Sequence, residues 1–301
     1  MRIRRSLIDL DDLNADELTY IFARTAALEK SNPERLLAGV ACANMFFEQS
    51  TRTFASFNLA ELRLGAEVVN LSPKDLSLAT KGETLEDTAI TLGAMGFSVL
   101  VVRHPEAGFP QRVAMAFDGH VVNAGDGAHA HPTQALLDLY TLIEEFGALH
   151  GRTVAIVGDV LHSRVAHSTI RGLARLKARV VLVGPECFLP GDYGQEGVSI
   201  ERDLDAVLPV ADAVILLRIQ RERFAEMPIS DEEYVRGYRL DAPRLEKVRP
   251  TAVIMHPGPY NRGMELDDSV LEFAGWRYAK QVRHGVGIRM AALDLLVNGR
   301  R

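Results

Sequence analysis

The stretch Val40-Ala41-Cys42-Ala43-Asn44-Met45-Phe46-Phe47, followed by Glu48-Gln49-Ser50-Thr51-Arg52-Thr53 and then by Ala55, Leu59 and Leu62, changes its periodicity twice within a few residues. Its first part is a mostly apolar run, as a strand covered on both faces requires. Its last part spaces apolar residues as a helix does. Between them lies a polar turn rich in hydroxyls. A strand, a loop and a helix in that order form the unit from which parallel sheets are wound, because parallel neighbours need a crossover connection. The same alternation recurs along the chain. Further strands read at residues 66–71, 98–102 and 120–123 in the first half, and at 153–157, 179–183, 213–217 and 252–255 in the second. The expected fold is therefore α/β, with two doubly wound domains, each built on a parallel sheet.

Residues 133–147, with Leu136, Leu137, Leu139, Tyr140, Leu142 and Ile143 as the apolar face, read as a helix ending at Gly147 and bridging the two domains. Residues 288–297 repeat apolar positions at helical spacing after Gly285 and Gly287, which predicts a packed terminal helix. In doubly wound folds ligands collect where strand ends and helix starts converge, so a cleft between the halves is expected to hold them.

The chain has 301 residues, 47% of them hydrophobic and 25% charged, enough for two ordinary globular domains. A net charge of -6 supplies no global field for nucleic acid or an anionic membrane, so an anionic ligand has to be held by a local basic cluster. The basic residues 1–5 are followed by Asp9, Asp11 and Asp12 rather than by an apolar signal core. No apolar run approaches the roughly 18 residues that span a bilayer, and a cytoplasmic location is the default expectation. Cys42 and Cys187 are far apart among apolar neighbours, which suggests packing rather than a disulfide or a thiolate zinc site.

Several stretches carry chemistry. Ser50-Thr51-Arg52-Thr53 opens a helix after a strand, where unpaired N–H groups, hydroxyls and a guanidinium together suit a phosphate; the alternative is that Ser50 or Thr51 caps the helix and Arg52 is solvated. Lys81 on a loop before Gly82-Glu83-Thr84 is either a mobile cation for oxygens or an exposed charge. Arg103 ends a buried strand, placing a cation at the sheet's C-terminal edge, although such an arginine is equally well structural, as His104 is read. His129 and His131 are spaced as a metal pair, yet no ligand set completes a sphere and Pro132 opens a helix, so no metal site is read. Asp126 and Asp138 read as a turn residue and a helix-surface charge.

In the second half, Gly158-Asp159-Val160-Leu161-His162-Ser163-Arg164 lacks the glycines of a dinucleotide fingerprint and sets Arg164 at a helix start, where the dipole disfavours a cation unless an anion is near. Leu217-Arg218-Ile219-Gln220 follows another apolar strand, and two arginines from separate strand ends suit a dicarboxylate. Arg221 and Arg223 read as a solvated or salt-bridged face. Met255-His256-Pro257-Gly258-Pro259 stops a strand in a turn of restricted backbone, where a simply packed His256 is one reading.

Ser50-Thr51-Arg52-Thr53 with Ser56-Phe57, Ser77 and Lys81, Arg103, His131-Pro132-Thr133-Gln134, the segments around Arg164 and Arg218, and the 256–259 turn resemble, in order, the motifs of the aspartate and ornithine carbamoyltransferases. Phe54 stands where that family commonly has a basic residue and Asn58 where it commonly has glutamate. The resemblance implies a carbamoyl-phosphate-binding domain over residues 1–134, an amino-acid-binding domain over 135–285, and a C-terminal helix, 286–301, packed on the first domain. It implies transfer without cofactor or covalent intermediate. Ser50, Thr51, Arg52, Thr53, Arg103, His131, Gln134 and the backbone of Pro257 and Gly258 would hold carbamoyl phosphate, with Arg52, Thr53, Lys81, Arg103 and His131 catalytic. Lys81, Arg164, Arg218 and Gln220 would hold the amino acid. A homotrimer is implied, with Ser77 and Lys81 reaching into the neighbour's site, and a regulatory chain or a dihydroorotase is a candidate partner in such families. The ornithine branch would be expected to show a His-Cys-Leu-Pro turn and an acidic binder for the ammonium group. His256-Pro257-Gly258-Pro259 and the pair Arg164 and Arg218 favour aspartate instead. The remaining alternatives are a carbamoyltransferase for ornithine or another amino acid, and a non-catalytic carbamoyl-phosphate-binding homologue.

Overall fold

The computed structural model describes residues 6–30, 35–72, 82–194 and 196–299 and divides into two units, Met1–Leu137 with Val282–Arg301 and Asp138–Gln281. In the first unit, α1 (Ala15–Lys30) precedes β1 (Ala41–Phe46), and α2 (Thr51–Arg63), β2 (Glu67–Leu71), α3 (Leu85–Ala94), β3 (Phe97–His104), α4 (Phe109–Ala116) and β4 (His120–Asp126) follow. The four strands are parallel in the order β2-β1-β3-β4. The middles of β1 and β3 are wholly buried, as strands covered on both faces must be, whereas the edge strand β2 is largely open. Met45, Leu92, Leu100, Val102, Val113 and Phe117 lie in the core of this unit.

The chain passes from the first unit to the second within α5 (Pro132–Phe146). Its proline sits at the first helical position, where a missing N–H costs nothing, and Gly147 ends it at φ +76°, its N–H donating to the Ile143 carbonyl at 2.7 Å. The second unit continues through β5 (Thr153–Val157), α6 (Arg164–Arg175), β6 (Arg179–Val183), β7 (Val198–Glu201), α7 (Leu204–Val207), β8 (Ala213–Leu216), α8 (Asp231–Tyr238), α9 (Ala242–Leu245), β9 (Val253–Met255) and α10 (Asp268–Glu272). Its parallel strands run in the order β7-β6-β5-β8-β9. β5, β8 and β9 are buried at every position around a core that includes Ala155, Val157, Val214, Leu216 and Ile254.

Both sheets are thus parallel α/β sheets. The sequence reading misses β7, whose four residues alternate in exposure at the sheet edge and form no apolar run. It also misplaces the start of the last helix. That helix, α11, runs Tyr278–Asn298 and carries Gly285 and Gly287 inside it rather than before it. Interior glycine weakens a helix by up to about 1 kcal/mol. The reason it is kept at 287 is close packing, because a Cβ there would lie 2.9 Å from Thr25 Cγ2 and 3.0 Å from Glu29 Oε1 of α1.

In each sheet the strand order reverses beside the first strand of the unit. The reversal falls between β1 and β3 in the first and between β5 and β8 in the second. Loops leaving the C-terminal ends of such a pair run to opposite sides of the sheet and leave a crevice, the usual ligand position in open α/β folds.

Candidate active site

At the first reversal, β1 runs into Phe47-Glu48-Gln49-Ser50 and then α2, while β3 ends in Arg103 and His104. The two strand ends are pinned together, with the Phe47 N–H donating to the Arg103 carbonyl at 2.9 Å. Ser50 is the N-cap of α2 but its side chain makes no capping bond, and the first turn holds no acidic residue. Elsewhere Thr84 caps α3 and Ser230 caps α8, both with acidic first turns. The capping alternative for Ser50 therefore fails, and this helix start keeps its dipole and amide donors uncompensated by a carboxylate, a setting that favours an anion. Thr53 is buried and Arg52 half-buried in the same turn.

Arg103 is oriented from two sides. Its Nη1 donates to the Ala124 carbonyl at 3.0 Å, and Nη2 lies 3.2 Å from a Glu48 carboxylate oxygen. Glu48 appears in the sequence motif without a role; here it aligns a cation. His104 is stacked on Phe109 at 3.5 Å between ring centroids, and burial, the largest cause, lowers its pKa, as suits a packed residue. β4 adds the third element. After it, His131 precedes Pro132 at the start of α5, and His131, Thr133 and Gln134 are all buried. Asp126, expected as a turn residue, organises this loop from a fully buried position, accepting from the Gly108 and Ala130 N–H groups and from Asn123. Ser50, Thr51, Arg52, Thr53, His131 and Gln134 thereby follow strand ends, and Arg103 lies near the end of one, all on one edge of one sheet.

At the second reversal, β5 leads through Gly158 and Asp159 to Arg164, the first residue of α6, where Ser163 caps the helix by accepting from Ala166 N–H at 3.2 Å. β8 leads to Arg218 and Gln220. Arg218 is gripped in a fork by Glu222, at 3.0 and 2.6 Å, and this hydrogen bonding, the largest cause, raises the Arg218 pKa and lowers that of Glu222. The guanidinium is held ready and already paired with a carboxylate. Arg221 pairs with Asp231 at 2.5 Å, as its salt-bridged reading anticipates. Asp159, to which the sequence reading gave no role, ties the two segments together: it is fully buried and accepts from the Gln220 N–H at 3.1 Å and from the His162 N–H at 3.2 Å, with His162 Nδ1 2.8 Å away. An acidic residue directly after an apolar strand was the available signal.

The 256–259 turn follows β9. Gly258 has φ +71° and its peptide bond to Pro259 is cis. The Gly258 N–H donates to His256 Nδ1 at 2.8 Å, so the imidazole proton sits on Nε2, which faces Glu265 Oε1 at 3.2 Å. His256 is thus packed and also polar-bonded. Asp138 is a correction. Expected as a surface charge, it is fully buried and accepts from Gln281 Nε2 at 2.7 Å. Ser77 and Lys81 lie outside the described residues.

Comparison with known proteins gives the family. Residues 5–144 fit the family model described as aspartate/ornithine carbamoyltransferase, carbamoyl-P binding domain, and residues 150–296 fit the aspartate/ornithine carbamoyltransferase, Asp/Orn binding domain. The chain belongs to the aspartate/ornithine carbamoyltransferase family. Within this carbamoyltransferase family, it is 48% identical over 297 residues to the aspartate carbamoyltransferase catalytic subunit of Salinispora arenicola, covering 97% of this chain and 96% of that one. The corresponding subunit of Gluconacetobacter diazotrophicus is 49% identical over 282 residues, covering 93% and 87%. Among solved structures, aspartate transcarbamoylase from Trypanosoma cruzi in complex with carbamoyl aspartate and phosphate matches with a TM-score of 0.87 at 32% identity, covering 97% and 96%. Ornithine carbamoyltransferase from Pyrococcus furiosus matches with 0.89 at 26% identity, covering 99% and 98%. Backbone shape is therefore shared with both branches of the carbamoyltransferases.

The family departures at α2 have local accounts. Phe54 packs edge-on against Phe46 at 5.3 Å between centroids. Asn58 accepts from Asn70 at 2.8 Å and donates to the Phe54 carbonyl at 3.0 Å. Both residues lie beyond the four positions assigned to phosphate. No helix among the described residues is long and apolar enough to cross a membrane.

Proposed function

We propose that this chain is the catalytic subunit of an aspartate carbamoyltransferase, which transfers the carbamoyl group of carbamoyl phosphate to the amine of L-aspartate, giving N-carbamoyl-L-aspartate and phosphate, an early step of pyrimidine biosynthesis. The observation that carries the choice of acceptor is the pair of arginines at the β5/β8 reversal, Arg164 and Arg218, the second already forked around the Glu222 carboxylate. A site that grips one carboxylate in its own chain is chemically suited to a dicarboxylate substrate. An ornithine site needs an anion for the ammonium group.

In the mechanism supported by this reading, Ser50, Thr51, Arg52 and Thr53 hold the phosphate by hydroxyls, amides and a guanidinium. Arg103, Thr53 and His131 donate toward the carbamoyl oxygen as negative charge grows on it, and Gln134 with the carbonyls of Pro257 and Gly258 orients the carbamoyl amide. Arg164, Arg218 and Gln220 hold aspartate so that its neutral amine meets the carbamoyl carbon. The C–N bond forms, the C–O bond to phosphate breaks, and the phosphate leaves with the bonding pair and takes up the proton that the attacking nitrogen loses. The assembly is a homotrimer in which Ser77 and Lys81 of one subunit complete the site of the next, Lys81 touching both phosphate and carboxylate oxygens. No cofactor enters these steps. The location is cytoplasmic, and a regulatory chain or a dihydroorotase is a candidate partner.

Colorimetric detection of carbamoyl aspartate, with ornithine offered as the competing acceptor, tests the assignment. Product is expected from aspartate alone. Arg52→Ala is expected to lower kcat by roughly 10²-fold or more, the scale of losing one transition-state donor, with thermal unfolding unchanged. Near-normal product formation by that variant, or product from neither amine, would sink the assignment.

A further inference from the structure

The turn assigned to the carbamoyl amide is held by a buried chain of polar groups that no step above uses. His256 is 1% exposed and Gln281 2%. Gln281 sits in the first turn of α11, where its backbone N–H donates to the Arg277 carbonyl at 2.9 Å. Its side-chain oxygen accepts from the His256 backbone N–H at 3.0 Å, and its side-chain nitrogen donates to Asp138 at 2.7 Å. From His256 the chain continues, because Nδ1 accepts from the Gly258 N–H and Nε2 faces Glu265, which also accepts from the Asn261 N–H at 2.6 Å. Asp138, on α5, accepts but cannot donate when ionised, so it fixes which way the Gln281 amide points. That orientation in turn presents an oxygen, not a nitrogen, to the His256 N–H.

We propose that Gln281, oriented by Asp138, is a positioning residue for the reaction. It anchors the end of β9 so that the carbonyls of Pro257 and Gly258 stand at fixed positions for the carbamoyl amide and the attacking amine. The inference rests on the carbonyl role given to this turn in the proposed function. Backbone carbonyls have no rotamer with which to adapt, so they are only as well placed as the strand end that carries them, and a displacement near 1 Å costs catalysis about 10²-fold.

The test uses Q281L, D138N, Q281E and the exchange D138N/Q281E in the full chain. In the exchange, the carboxylate now at position 281 still accepts from the His256 N–H, and the amide now at position 138 donates to that carboxylate, restoring both bonds with the same net charge. Steady-state kinetics with aspartate are compared with inhibition by succinate, a dicarboxylate that lacks the amine and therefore reports on the carboxylate-binding residues, not on the attack. Q281L and Q281E are expected to lose kcat by about 10- to 100-fold with the succinate inhibition constant within about twofold of wild type, and D138N/Q281E to recover most of the loss. The proposal is overturned if Q281L keeps wild-type kcat, if succinate binding falls in step with kcat, or if the exchange is no better than Q281E. Should Q281L fail to fold, the comparison of Q281E with D138N/Q281E decides by the same criterion. Absence of carbamoyl aspartate with the wild-type chain would instead refute the function itself.

Discussion

Glu61 lies two turns beyond Thr53 on α2 and is fully buried, accepting from Asn44 Nδ2 at 2.7 Å beneath β1. Asn44 also donates to Asn70, which donates to Asn58, so a polar relay runs under the helix that carries the phosphate hydroxyls. Burial, the largest cause, pushes the Glu61 carboxyl up to about 7, with the Asn44 hydrogen bond opposing it. The folded form therefore holds the proton more tightly than the unfolded chain, whose carboxyl titrates near its ordinary value of 4.5. Stability from this group is complete below about pH 4.5, falls as pH rises toward 7, and is level above. Glu61→Gln cannot ionise and escapes that loss. Its unfolding free energy, measured by denaturant titration, is expected to gain on wild type from about pH 5 upward, reaching an advantage of about 3 kcal/mol by about pH 8. Parallel pH profiles for the two proteins would refute it. Nothing in the sequence marks Glu61, because a glutamate at a helical position reads as solvated until the strand beneath it is known.

At the level of elements, legibility follows burial. β5, buried at every position, is read from the sequence with its observed limits, because an uninterrupted apolar run of about five residues between loops is too short for a helix. β7 alternates and α11 contains glycines, and both are set by neighbours distant in the chain. The glycine at 287 yields a prediction with opposing terms. Gly→Ala inside a helix gains up to about 1 kcal/mol from propensity, whereas overpacking a closed contact costs about 1–3 kcal/mol. At Gly287 the buried Thr25 stands 2.9 Å from the added Cβ, so the cost wins and Gly287→Ala is expected to lower Tm. At Gly237, in α8, a Cβ meets nothing within 4 Å, so Gly237→Ala is expected to raise it. Equal shifts in calorimetry would show that packing against α1 plays no part.

For the whole molecule, the candidate site was legible because its residues follow strand ends, and strand ends are easy to find. Ser50–Thr53 and Arg103 flank one reversal of strand order, Arg164 and Arg218 the other, although the reversals themselves needed the pairing of strands. What stayed hidden was the polar support: Asp159, Asp138, Gln281 and Glu265 bond to partners that no local pattern in the chain reveals. Assembly is the remaining question at this scale. On and beside α2, Phe54, Leu59, Leu62 and Val69 are 36%, 39%, 62% and 41% exposed, apolar side chains close in sequence to the phosphate hydroxyls that burial against a second copy would cover. If the sites are shared in a trimer, Arg52→Ala removes one partner of each site and Lys81→Ala the other, each abolishing activity alone. After dissociation and random reassembly of equal amounts, about three trimers in four are mixed, and each mixed trimer contains about one site in three with both residues intact. Recovery of about a quarter of wild-type activity is therefore expected. Sites complete within one subunit would give none, since no subunit in the mixture carries both residues.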